Sequence, residues 1–130
     1  MTARATTRLA VGIALAVGCL GLAACGQSER RAEWAPFNGD PHRGAALIAQ
    51  AGCGQCHIVP GVPDAVGTVG PSLAHFGVHT TVAGLLPNTP TALVRWIKEP
   101  QAVLPGNAMP DMHLSKQQAQ DMAAYLHTLK

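Results

Sequence analysis

Cys53-Gly54-Gln55-Cys56-His57 sets two thiols three residues apart, with an imidazole directly after the second. That spacing admits three chemistries: a redox dithiol, half of a tetrahedral zinc site, or covalent attachment of haem with the histidine ligating its iron. Zinc needs four ligands, usually including a second close Cys or His pair, and no cysteine follows position 56. A thioredoxin-like dithiol belongs in a βαβ pattern, which this chain does not show. Haem meets every demand of the pentapeptide: each thiol can add to one vinyl group on neighbouring porphyrin edges, and His57 then lies under the iron. A pyridine haemochrome spectrum without haem c would restore the zinc and dithiol readings.

A second axial ligand would close the iron to substrate. Pro105-Gly106-Asn107-Ala108-Met109-Pro110 offers Met109, a thioether framed by prolines in a loop between two helices. Sulfur of this kind needs no deprotonation, and His/Met ligation raises a haem's reduction potential. Met112, His113, His75 and His79 are the rivals; Met112 lies outside the proline frame, and a lone histidine is more often a surface residue than a ligand.

Helices must hold these ligands. The first begins at Asp40, an N-cap followed by Pro41 at the first helical position, and runs to about Ala51. Gly44, Leu47 and Ile48 share one face, and Gly44 lets another helix come close. The last opens at Ser115 with Gln118 three residues on, a capping box, and carries Ala119, Met122, Ala123, Leu126 and Leu129 at helical spacing with Tyr125 on the flank. Met122 reads as packing. A short third helix lies between Thr89-Pro90 and Pro100, with Leu93, Val94, Trp96 and Ile97. Residues 58–89 have no sustained period, as expected of a segment wrapped round a cofactor, and no strand pairing is required there.

The start of the chain reads as targeting. Arg4 and Arg8 precede an apolar run, Leu9 to Ala24, too short to span a bilayer comfortably. It ends in Leu22-Ala23-Ala24-Cys25, which resembles the lipobox of bacterial lipoproteins, in which the cysteine becomes the acylated first residue. Residues 1–24 are then a lipoprotein signal peptide, 25–38 a lipidated N-terminus and tether, and 39–130 the haem domain. Cys19 is removed, Cys25 is lipidated and no cysteine is left for a disulfide; the alternative is an ordinary secretory signal with Cys25 incidental. Either way the domain is exported, facing the periplasm or the outer side of the cytoplasmic membrane. Trp34 and Phe37 dock either on the domain or at the lipid interface.

The remaining hundred or so residues suffice for one small domain. Arg4 and Arg8 account for the formal net charge of +2, so the domain is balanced and carries no nucleic-acid footprint. Aromatics make up only 4% of the chain, leaving a thin core that a large, flat, apolar haem would fill.

Taken together, residues 40–130 resemble class I cytochrome c, an all-α fold of three to four helices with long loops around one covalent haem. In that family the first and last helices cross where Gly44 and Tyr125-Leu126 stand here. Gly70-Pro71-Ser72-Leu73 resembles the family's proximal segment, which implies that the Pro71 carbonyl accepts the Nδ1 proton of His57 and that Pro71 and Leu73 touch the haem. Trp96 matches a position that packs beside the haem and can bond a propionate.

More specifically, four stretches resemble the cytochrome c domain fused to subunit II of haem–copper cytochrome c oxidases. They are Gly67 to Phe76, Leu86 to Pro90, Trp96 to Gln101 and Pro105 to Pro110. His79 departs from the arginine expected at its position, and no copper-binding domain precedes, which suggests a free-standing lipoprotein.

The resemblance implies a one-electron carrier and not an enzyme. It would deliver electrons to a terminal cytochrome oxidase, taking them from a quinol-oxidising complex or a soluble cytochrome. Electrons would leave at the haem edge near the thioethers, shielded by Val59 and Val62 in a weak contact with little electrostatic steering. A haem-based ligand sensor and the electron-entry module of a periplasmic dehydrogenase are the alternative readings.

Overall fold

Asp40 starts the first helix as its residue type predicts. Its backbone is extended, its carboxylate accepts from the N–H groups of His42 (2.8 Å) and Arg43 (3.2 Å), and Pro41 follows where a missing N–H is harmless. Helix α1 spans Pro41–Gln50. The computed structural model describes residues 37–130 together with Trp34, and Phe37–Lys130 form one compact unit. The expected leader, Cys25 and nearly all of the tether lie outside the described residues.

Helix α4, Lys116–Thr128, is opened by the expected capping box: Ser115 Oγ accepts from Gln118 N (3.2 Å) and Gln118 Oε1 accepts from Ser115 N (2.9 Å). It crosses α1 at Gly44. A Cβ on Gly44 would collide with the Asp121 carbonyl and lie 3.0 Å from the Tyr125 Cβ, so only glycine allows this approach. The crossing is also held by charge. Asp121, 2% exposed, accepts from Arg43 Nε (2.8 Å) and Nη2 (2.9 Å), from the Asp40 backbone N–H (2.8 Å) and from Gln117 Nε2 (3.0 Å). The Arg43 hydrogen bond is the main reason its carboxyl is pulled down to about 2, against the effect of burial.

Helix α2, Pro90–Lys98, starts at Thr89, whose Oγ1 accepts from Ala92 N (3.2 Å), and it packs on α4. A one-turn helix α3, Pro100–Val103, follows directly. The helices bring to the core Ile48 of α1, Leu93 and Ile97 of α2, and Ala119, Met122, Ala123 and Leu126 of α4, and the loops add Val59, Val62, Ala65, Phe76 and Val82, all buried. Two short 3₁₀ turns, Cys53–Gln55 and Phe76–Val78, interrupt the loops. The C-terminus is tied down where Gly77 N donates to Leu129 O (2.7 Å).

The expected all-α arrangement holds, with four α-helices among the described residues, and one detail differs. Strands β1 (Thr81–Val82) and β2 (Leu86–Pro87) pair antiparallel in the segment expected to lack pairing. In the three-residue loop between them Ala83 and Gly84 both take positive φ and Leu85 N closes the turn on Val82 O (3.0 Å); two-residue strands are too short to leave a period in the sequence. Ile58 and Val66 form an isolated bridge. No helix among the described residues is long and apolar enough to cross a membrane.

Candidate haem-binding site

Helix α1 ends at Ala51, and Gly52 takes a left-handed φ of 72° that turns the chain into the 3₁₀ turn carrying Cys53. Cys56 N and His57 N both point back to Cys53 O (3.2 and 2.9 Å), so both cysteines and the histidine leave one tight turn. Both thiols are free, Cys53 half-buried and Cys56 exposed. Burial pushes the Cys53 thiol up, with the neighbouring Cys56 adding to the effect.

His57 Nδ1 lies 2.7 Å from the Pro71 carbonyl oxygen. A carbonyl can only accept, so Nδ1 carries the proton and Nε2 keeps its lone pair for a metal. Gly70 lies flat against the same ring: a Cβ there would collide with Cε1 and come within 2.7 Å of Nδ1. Gly70 N donates to Cys56 O (2.8 Å) and Leu73 N to Ile58 O (2.9 Å), which locks the proximal segment to the motif.

Met109 is half-buried in a loop without helix or strand. Its N–H donates to Asn107 Oδ1 (2.8 Å) and its carbonyl accepts from Gln101 Nε2 (2.7 Å). Sequence spacing points to neither Gln101 nor Asn107, because their partners are backbone groups of an aperiodic loop.

These residues meet at one cavity that opens to solvent. Its walls are apolar, from Ile48, Leu93, Ile97, Met122, Leu126 and Phe76, joined by His57, Cys53 and Met109. The three haem contacts expected from the resemblance, Pro71, Leu73 and Trp96, all line it. A more open cavity shares Cys53, His57, Pro71, Met109 and Met112 and adds Cys56. Of the rival axial ligands, Met112 lines both cavities, whereas His75, His79 and His113 line neither. Among the described residues no three His, Cys, Asp or Glu side chains are grouped to hold a metal by themselves. Two thiols, an imidazole presenting Nε2, thioethers and apolar walls form a donor set that fits haem.

Val59 and Val62 are not at the surface, where a shield for the haem edge would have to lie. Val59 and Val62 are core, 2% and 7% exposed, because Val59 N bonds Ala65 O (3.1 Å) and Val62 N bonds Val59 O (3.2 Å), closing a turn that faces both inward. Val66 and Val69, 75% and 78% exposed, are the most exposed of the large apolar residues, and Val69 lines the open cavity beside Cys56.

Residues 41–130 match the family model described as cytochrome c. The chain belongs to the cytochrome c family. It is also similar to cytochrome c oxidase subunit 2 of Alkalihalophilus pseudofirmus, 33% identical over 90 residues, which are 68% of this chain and 25% of that protein. Similarity to cytochrome c oxidase subunit 2 of Bacillus subtilis is also 33%, over 92 residues, 68% of this chain and 26% of that protein. The same subunit of Bacillus sp. strain PS3 is 33% identical over 87 residues, 64% of this chain and 24% of that protein. The chain thus spans about a quarter of the length of these curated relatives. Family membership makes this a haem-based electron-transfer domain.

Proposed function

We propose that this protein is a one-electron carrier with a single haem c, delivering electrons to a terminal cytochrome oxidase in a respiratory chain. Cys53 and Cys56 would hold the haem through two thioethers, with His57 Nε2 and Met109 as axial ligands. The observation that carries this reading is the bond from His57 Nδ1 to Pro71 O, which orients the ring and leaves Nε2 to coordinate.

The haem would supply the iron that takes up and releases one electron. The chain's own residues do the rest. The apolar walls from α1, α2 and α4 exclude water, and the Pro71 bond and the surface of Gly70 hold the imidazole in one orientation. With His57 and Met109 both held as ligands, no position would be left open to substrate, and the site would suit outer-sphere transfer and not catalysis. Val66 and Val69 would form an apolar contact surface by Cys56, in place of Val59 and Val62.

The names of the similar proteins support an oxidase as acceptor, with a quinol-oxidising complex or a soluble cytochrome as donor. We further propose that Cys25 is acylated after removal of residues 1–24. The domain would then be tethered to the outer face of the bacterial cytoplasmic membrane, at high effective concentration near membrane partners. The deciding experiment mixes the purified, reduced holoprotein anaerobically with the haem–copper oxidases of its host and follows haem oxidation. Rapid oxidation supports the role, and failure with every oxidase sinks it. A pyridine haemochrome spectrum and the intact mass test one covalent haem separately.

A further inference from the structure

We infer that Gln101 is the positioning residue for Met109 and decides whether the iron's sixth position is closed; this rests on the reading of Met109 as a ligand. No regular backbone ladder holds Met109, because residues 104–115 contain neither helix nor strand. Pro105 and Pro110 lack an N–H to give. The loop is held by side chains instead. Gln101 Nε2 donates to Asn107 O (2.9 Å) and to Met109 O (2.7 Å), while its Oε1 accepts from Gly106 N (3.0 Å). One amide therefore grips three backbone groups of the loop. Its own backbone is fixed too, at the start of α3, where Gln101 N donates to Asp111 Oδ1 (3.2 Å).

Asn107 completes the frame from within the loop. Its Nδ2 donates to Pro100 O (3.0 Å) and Leu104 O (2.6 Å), and its Oδ1 takes the Met109 N–H. Both backbone polar groups of Met109 thus end on side-chain amides, and the Gln101 amide reaches the loop from outside it. Removing that amide frees Asn107 O and Met109 O together. The loop then exchanges between closed and open forms, and the thioether leaves the iron for part of the time. A hydrogen bond of this kind shifts an equilibrium by roughly three- to tenfold, so losing three raises the open population on the order of thirtyfold or more.

The test uses the purified holoprotein with Gln101→Leu, Gln101→Glu and Gln117→Leu. Gln117 bonds Asn38 O and Asp121 and lines neither cavity, so its variant reports loss of stability without loss of the loop. Three readouts are taken: the sulfur-to-iron charge-transfer absorption of the ferric form, the reduction potential, and carbon monoxide affinity of the ferrous form. For Gln101→Leu the absorption should weaken, the potential should fall, and carbon monoxide should bind roughly thirtyfold more tightly than to wild type. Gln101→Glu keeps the acceptor for Gly106 N but turns a carboxylate oxygen on the Asn107 and Met109 carbonyls in place of the donor, so all three readouts should move in the same direction as for leucine. Gln117→Leu should melt earlier with all three readouts unchanged. Wild-type values for both Gln101 variants would overturn the positioning role, whatever their melting temperature. If the leucine variant fails to hold haem, the glutamate variant decides alone. Absence of the charge-transfer absorption in wild type would instead overturn Met109 as the ligand, and the inference with it.

Discussion

The Gly70 Cα lies against the face of the His57 ring, leaving no room for a Cβ, while the next residue's carbonyl takes the ring's Nδ1 proton. Two adjacent backbone positions thus fix both the plane and the tautomer of one imidazole.

Gly70→Ala should therefore turn the ring without removing any ligand. Overpacking of this kind costs roughly 1–3 kcal/mol, here concentrated on the His57 Cε1 and Nδ1 atoms. The expected outcome is a lower yield of haem-loaded protein and a shifted reduction potential, read by haem-to-protein ratio and redox titration. A variant with the yield and potential of wild type would show that the ring has slack.

Gly44→Ala should weaken the crossing of α1 and α4. The Asp121 carbonyl occupies the place of the new methyl, and it belongs to helix backbone that cannot swing aside. A loss of about 2 kcal/mol is expected, since an alanine's better helix propensity offsets only part of the overpacking. Denaturant titration should give a lower midpoint with an unchanged slope.

Stability should fall in two steps on acidification. His127 is held below its ordinary value, by burial first and by Lys130 after it, so its neutral form belongs to the folded state. That contribution is complete above about 6.5, the unfolded value, and is lost as pH drops below it. Asp121 has its folded value depressed to about 2, so its contribution is complete above the unfolded value near 3.9 and is lost as pH falls towards 2. Asp121→Asn should erase the acid step and leave the upper one, measured as unfolding free energy across pH. A variant that keeps the acid step would assign it elsewhere.

How legible these features are depends on how local their causes are. Asp40-Pro41 and Ser115 with Gln118 cap helices through partners two or three residues away, so sequence spacing reveals them. Gly44 is readable because a helix face has a period, and Cys53 to His57 because haem chemistry demands adjacent residues. Gln101 is opaque: its three partners are backbone groups at 106, 107 and 109, and nothing in residue type says that an aperiodic loop will fold back on it. Val59 and Val62 mislead for the same reason, since hydrogen bonds from their N–H groups turn them into the core while Val66 and Val69 stay outside. Asp121 sits on the buried face of a helix whose pattern suggests apolar packing, and its partners across the crossing, Arg43 and the Asp40 N–H, explain it.

Electron exchange at this site should be nearly independent of salt. No Lys, Arg, Asp or Glu lines the open cavity around Cys56 and Met109, and Val69 beside it is 78% exposed. Attraction between an uncharged rim and a partner comes from apolar burial, which salt does not screen, whereas long-range steering fades as the screening length shrinks from about 30 Å at 0.01 M to about 3 Å at 1 M. The bimolecular rate constant with an oxidase should change by less than roughly threefold over that range. Val69→Lys supplies the missing charge, so its rate should become salt-dependent, with the sign reporting the charge of the partner's surface. Val69→Asn should slow exchange at every salt concentration while leaving the reduction potential alone. A steep salt dependence in wild type, or a Val69→Asn rate equal to wild type, would move the docking surface away from Val69.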